Sequence, residues 1–212
     1  MSRYKAAVAA LISVAVAGCS TEGRLTESGV ITTRSACPAV AIPASTGDIT
    51  LFNPETSRDQ NAIDVVATIT NVRSTCDETG NVIVTNLTFD VLGQRRDPRG
   101  ARDVVLPYFA ADVQGGTHVI SKSIGRVGLH FADGQIRAQS SGTATSQVQR
   151  SAVTLPEDVR RQVTRERKAG DPDAAVDPLS DPKVRDAVRA ATYEVLVGFQ
   201  LTRDQLAYNA TR

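Results

Sequence analysis

General-base chemistry near neutral pH most often runs through histidine, and this chain has only two, His118 and His130. Ser121 and Ser123 follow His118 closely, and Asp133 follows His130, so the ingredients of a Ser-His-Asp hydrolase lie within one stretch. The G-x-S-x-G turn that presents a nucleophile at the head of a helix is missing, however. Serines are also too frequent for their proximity to a histidine to define a site. Both histidines are therefore expected as partly exposed strand or turn residues, with no catalytic residue assigned.

Two charged clusters come next. Asp171, Asp173, Asp177 and Asp181 form an acidic run whose spacing would suit calcium, which takes several oxygen ligands in flexible geometry. The run lacks the glycine and the closing glutamate of an EF-hand loop. Prolines at 172, 178 and 182 give a simpler account, because Asp-Pro pairs favour turns and Asp caps helices. No metal ligand is assigned and no cofactor is expected. Arg160, Arg161, Arg165, Arg167 and Lys168 form a basic stretch on a predicted helix. These five are the candidate partner-binding residues, since they could dock an anionic lipid, a phosphate or an acidic protein surface.

The formal net charge of +1 over 212 residues supplies no global field for nucleic acid, and Trp is absent while Phe and Tyr are few. Platforms that stack bases or sugars need exposed rings in number, so nucleic acid is not expected as a partner.

The elements that must hold these groups read mainly as strands. Ile63, Val65, Ala67 and Ile69 alternate with polar residues, and Ile83, Thr85, Leu87, Phe89 and Val91 do so again after the turn-rich 76–81 segment. Together they predict an antiparallel hairpin. A third strand is expected over 104–113, with Pro107 placing it at an edge or a bulge. A fourth follows over 119–131, where Gly125 and Gly128 suggest a bend, and Asp133-Gly134 signals a hairpin. The polar run 138–152 reads as an exposed strand able to accept a partner strand, or as a solvent-covered hairpin arm. Two helices are expected in about 155–192, the second capped by Asp181 with Pro182 behind it. The apolar segment 193–201 reads as a central strand. The expected fold is thus all-β or mainly β: an immunoglobulin-like antiparallel β-sandwich with a two-helix insertion before its last strand. The likeness is architectural only. Without Trp no Cys…Trp…Cys signature is possible, and the body resembles no named domain family closely.

The N-terminus carries a different kind of signal. Arg3 and Lys5 precede an apolar run over 6–17, and Val16-Ala17-Gly18-Cys19 ends it. A basic start, a short apolar core and small residues describe a secretory signal peptide. The approach to Cys19 resembles the lipobox of bacterial lipoproteins, which are cut before that cysteine and acylated on it. The resemblance implies a signal peptide over 1–18, lipidation at Cys19, and the lipid bilayer as a partner. Ser20 stands where an Asp often retains such proteins in the inner membrane, which points to the outer membrane with the body facing the periplasm. Residues 19–47 are then the anchor and tether, and 48–212 the sandwich. With Cys19 assigned to lipid, Cys37 and Cys76 remain as a pair; an oxidising compartment favours a disulfide between them, and no CxxC spacing or adjacent histidine supports a redox or zinc pair.

The expected function is a non-enzymatic, lipid-anchored module that binds or scaffolds another component of the cell envelope. A lipid-anchored hydrolase and a small-ligand or calcium carrier are the alternatives.

Overall fold

The computed structural model describes residues 35–211 other than 166 and 169, together with a short antiparallel ladder of β1 (Gly23–Thr26) and β2 (Gly29–Thr32) in a separate N-terminal unit. The signal-peptide and lipidation assignments, Cys19 included, lie outside the described residues. The body is a sandwich of two four-stranded sheets. One sheet has the order β3 (Ala39–Ala41), β10 (Tyr193–Phe199), β7 (Arg102–Gln114), β8 (His118–Phe131). The other has β4 (Asp48–Phe52), β5 (Ile63–Asp77), β6 (Val82–Arg95), β9 (Arg137–Gln149). Among the described residues four α-helices complete it: α1 (Arg150–Val153), α2 (Glu157–Thr164), α3 (Pro182–Ala190) and α4 (Arg203–Thr211).

Period-two patterning explains the core. Val65, Ala67 and Ile69 of β5 and Leu87, Phe89 and Val91 of β6 point inward from one sheet. Val104, Leu106 and Tyr108 of β7, Val127, Leu129 and Phe131 of β8, and Val195, Val197 and Phe199 of β10 meet them from the other. Tyr108 packs edge-on against Phe89 at 5.0 Å between ring centroids, and its hydroxyl donates to the Thr143 carbonyl at 2.6 Å. This ring crosses the gap between the sheets.

The mainly β sandwich is the fold expected from the sequence, with differences of detail that have physical causes. The body begins at Ser35, not near residue 48. Cys37 is bonded to Cys76, and β3 pairs with β10, so residues 35–47 belong to the folded unit and not to a tether. That β3–β10 pair is parallel, the one exception to an otherwise antiparallel arrangement of the two sheets. Pro107 sits on a strand with neighbours on both sides. It is tolerated because β10 ends opposite Tyr108, and the Pro107 carbonyl accepts from Gln200 beyond that end. In an antiparallel ladder a residue's N–H and C=O point to one side, so the missing donor costs no bond to β8. The Asp133-Gly134 turn does not make a hairpin; it carries the chain from β8 in one sheet to β9 in the other. Gly125 marks no bulge but a close approach: a Cβ there would lie 2.2 Å from the Tyr108 ring. The helix from Glu157 ends at Thr164, short of Lys168, and α4 follows the last strand, which the sequence pattern did not suggest.

Candidate functional site

Among the described residues both four-stranded sheets end in a strand with one unpaired edge on the same flank: β8 pairs only with β7, and β9 only with β6. The outer half of β8 is the more unusual of the two. Val119, Ile120 and Ile124 are 55%, 50% and 56% exposed, all within one edge strand. Val105 of β7, also exposed, lies on the outer face opposite Gly128, and Phe109 stands opposite Ile124. Lys122 and Arg126 share that face by alternation with the buried Val127 and Leu129. The Lys122 ammonium lies 4.7 Å from the centre of the Phe109 ring, a cation–π contact that leaves its charge on the surface. An edge strand presents free N–H and C=O groups, and here they are set among apolar and basic side chains.

Between β8 and β9 the flank opens into a cavity of about 500 Å³, lined by Asp112, Ile120, Ser121, Val148, Tyr193 and neighbouring residues of β9 and α1. Its position follows from the strand pattern. Inward positions of β7 run Val104, Leu106, Tyr108, Ala110 and then Asp112, so alternation turns a carboxylate toward the interior. Asp112 is 8% exposed and takes part in no ion pair among the described residues; its Oδ2 accepts from the Ser121 hydroxyl at 2.6 Å. The register slips between Asp112, opposite Ser121, and Val113, opposite Val119, which leaves Ile120 as the extra residue of a bulge. Bulges re-aim side chains in this way. Asp112 escapes a reading of motifs because it stands alone, but its parity with the buried residues before it was there to be counted.

A second charged side chain that motif reading misses is Arg95, at the opposite end of β6. It is 2% exposed, and its guanidinium donates to the carbonyls of Pro98, Gly100, Ala132 and Gln135. It closes one end of the sandwich by tying together the two loops that cross between sheets.

The candidate residues from the sequence are dispersed. His130 Nδ1 is 2.7 Å from Asp103 Oδ1, but the pair lies exposed on the sheet surface. Its neighbours on that face, Val105 and Gly128, carry no hydroxyl. Ser121 stands nine positions away along the same strand, about 30 Å at the usual rise, with its hydroxyl given to Asp112. His118 is exposed opposite Gln114 at the start of β8. The structure brings no Ser-His-Asp set together among the described residues.

The acidic run is likewise accounted for locally. Asp177 and Asp181 accept from the backbone N–H groups of Leu179 and Lys183, as helix caps do. Asp171 accepts from the Lys168 backbone at 3.0 Å. Among the described residues no group of three or more His, Cys, Asp or Glu side chains could hold a metal ion.

Of the basic stretch, Arg160 and Arg161 lie on α2 and both face Glu157, the first by a hydrogen-bonded pair and the second at 4.0 Å. Arg165 pairs with Asp173, and Arg167 approaches the same carboxylate at 3.7 Å. The Arg165 guanidinium holds the Asp173 carboxyl below the usual carboxylate range, and the Lys183 ammonium does the same for Asp158. Four of the five cations are thus directed at carboxylates of the insertion itself, while the Lys168 backbone engages Asp171. The disulfide between Cys37 and Cys76 ties the chain ahead of β3 to the far end of β5, joining the two sheets.

No protein-family model matches the chain, and neither a curated protein nor a solved structure matches it. No helix among the described residues is long and apolar enough to cross a membrane.

Proposed function

We propose that the chain is a lipid-anchored recognition module of the cell envelope, attached through Cys19, facing the periplasm from the outer membrane, and binding rather than catalytic. Its occupant is an extended strand of another envelope protein, added along the free edge of β8. The observation that carries this reading is the β8 edge, where an unpaired strand exposes Val119, Ile120 and Ile124 together. Strand addition takes affinity from main-chain hydrogen bonds and specificity from alternate side chains. Lys122 and Arg126 select for acidic residues on the incoming strand. They also work against self-association, since an antiparallel pairing of two copies centred on Ile124 sets Lys122 opposite the second copy's Arg126, and like charges directly opposite destabilise a ladder. The basic residues of the insertion, Arg160, Arg161, Arg165, Arg167 and Lys168, are the second surface for such a partner, less available because of their carboxylate contacts.

Photo-cross-linkers placed at Ile124 and at Arg161 in intact cells test the reading. The expected result is one discrete adduct from Ile124 that disappears when Lys122→Glu and Arg126→Glu are introduced together. An adduct from Arg161 alone, or an Ile124 adduct indifferent to charge reversal, overturns it.

A further inference from the structure

We infer that the cavity between β8 and β9 is a binding site for an alkyl ammonium group, with Asp112 as its counter-ion. This goes beyond the strand-docking reading and does not depend on it.

A carboxylate largely withdrawn from bulk water is stabilised by a cationic partner. Asp112 is nine-tenths buried, in no ion pair among the described residues, and accepts from one neutral hydroxyl. Arg95, buried to a similar degree, has every one of its nitrogens hydrogen-bonded, so this fold does satisfy a buried charge where the charge serves the fold alone. Asp112 also opens on a cavity of about 500 Å³, large enough for a small organic molecule. A cation entering it would supply the missing partner.

The class of cation follows from the donors already present. Ser121 occupies Oδ2, and Oδ1, which no hydrogen bond covers, is open to the solvent of the cavity. A guanidinium gains its advantage by bridging both oxygens of a carboxylate, whereas an ammonium binds one as a point charge. A single free oxygen therefore suits an ammonium. The walls suit its stem: Ile120, Val148, Ala152 and Tyr193 line the same space.

The test is a titration of the full chain with n-pentylamine, and with n-pentanol as its uncharged counterpart, followed by backbone amide shifts. The amine is expected to shift Asp112, Ser121 and Val148 and to bind at least ~10-fold more tightly than the alcohol, the ratio expected from about 1.4 kcal/mol. Asp112→Asn, nearly isosteric, removes the amine's advantage and leaves the alcohol unchanged. If that variant fails to fold, Ala152→Leu fills the cavity while keeping Asp112, and amine shifts are expected to disappear. No shift at ~10 mM amine, equal binding of amine and alcohol, or amine binding retained in either folded variant overturns the inference. An extended capped peptide with a central lysine, added in competition, separates the sources: displacement of the amine assigns the ammonium to a partner's lysine, and no displacement to a free small amine.

Discussion

Arg95→Met deletes the guanidinium that closes the loop end of the sandwich while keeping much of the apolar stem. Four hydrogen bonds to carbonyls are lost, at 2.7 Å to Gln135, 2.8 Å to Gly100, 2.6 Å to Pro98 and 2.9 Å to Ala132. Bonds from a charged donor contribute roughly 1.5–3 kcal/mol each, a gross loss of roughly 6–12 kcal/mol. Most of it is offset. Removing a buried charge recovers several kcal/mol of desolvation, and the freed carbonyls of the surface loops regain water. The contact of the guanidinium with the Phe131 ring, 5.4 Å to its centre, is replaced by thioether packing of similar worth. The net expectation is a destabilisation of about 3 kcal/mol, or a fall in Tm of about 6–12 °C for a domain of this size. Urea denaturation should show a lower midpoint with an unchanged slope. Arg95→Lys should be at least as unstable, because one ammonium cannot span four carbonyls in a fixed fork. A loss below about 1 kcal/mol in Arg95→Met, or full rescue by lysine, would refute the assignment of Arg95 as the clamp of this end.

Four further outcomes are expected. Cys37→Ser should lower stability by about 3–4 kcal/mol, since the bond closes a loop spanning 39 positions; unchanged melting would mean that the bridge contributes nothing. Gly142→Ala should cost about 1–3 kcal/mol, because a Cβ there would lie 2.2 Å from the Phe89 ring, and a neutral effect in thermal melting would contradict that packing. The insertion should resist acid from neutral pH down to the ordinary aspartate value of 3.8 and loosen only below it. The hydrogen bond from Lys183 lowers the Asp158 pKa and that from Arg165 lowers the Asp173 pKa, so their contribution is present above the unfolded value and lost as pH falls through the lower folded ones. Hydrogen exchange of α2 and α3 reads this, and loosening well above that value would be the contrary result. Finally, Cys19→Ala should move the protein from the membrane to the soluble periplasmic fraction, and continued membrane retention would remove lipidation as the anchor.

Alternation made the sandwich legible, because burial on one face imposes a period of two regardless of partner. Ile83, Thr85, Leu87, Phe89 and Val91 are all buried as that pattern requires. Pairing between distant segments is another matter. Ala39–Ala41 is three residues long, too short to display a period, and its place beside β10 depends on a contact more than 150 positions away. The Asp133-Gly134 turn illustrates the same limit: local chemistry dictates that the chain reverses, but not whether the next strand joins the same sheet or the opposite one. Arg160 and Arg161 pair locally with Glu157, but Arg165 and Arg167 looked available because the carboxylate they meet, Asp173, lies several positions further along the chain. Lone charges at inward parity were the readable signal left unused. Counting on from Val91 by twos reaches Arg95, and counting on from Leu106 reaches Asp112.

Those two residues carry opposite meanings although the same alternation buries both. At one end a guanidinium is surrounded by carbonyls from the crossing loops, and Gly134 N–H to Pro98 and Gly100 N–H to Asp133 add bonds between those loops. The charge is met in full, and a closed end results. At the other end, Asp112 has one donor, and the adjoining edge strand exposes three large aliphatic side chains. A fold gains nothing in stability from leaving buried polar groups short of partners, since each one costs free energy that an apolar residue of similar shape would spare. Selection for stability alone would replace Asp112 with an apolar residue. Asp112 and the exposed aliphatic side chains of β8 are thus not what the sandwich itself needs, and that flank is where substitutions should separate the proposed binding from folding.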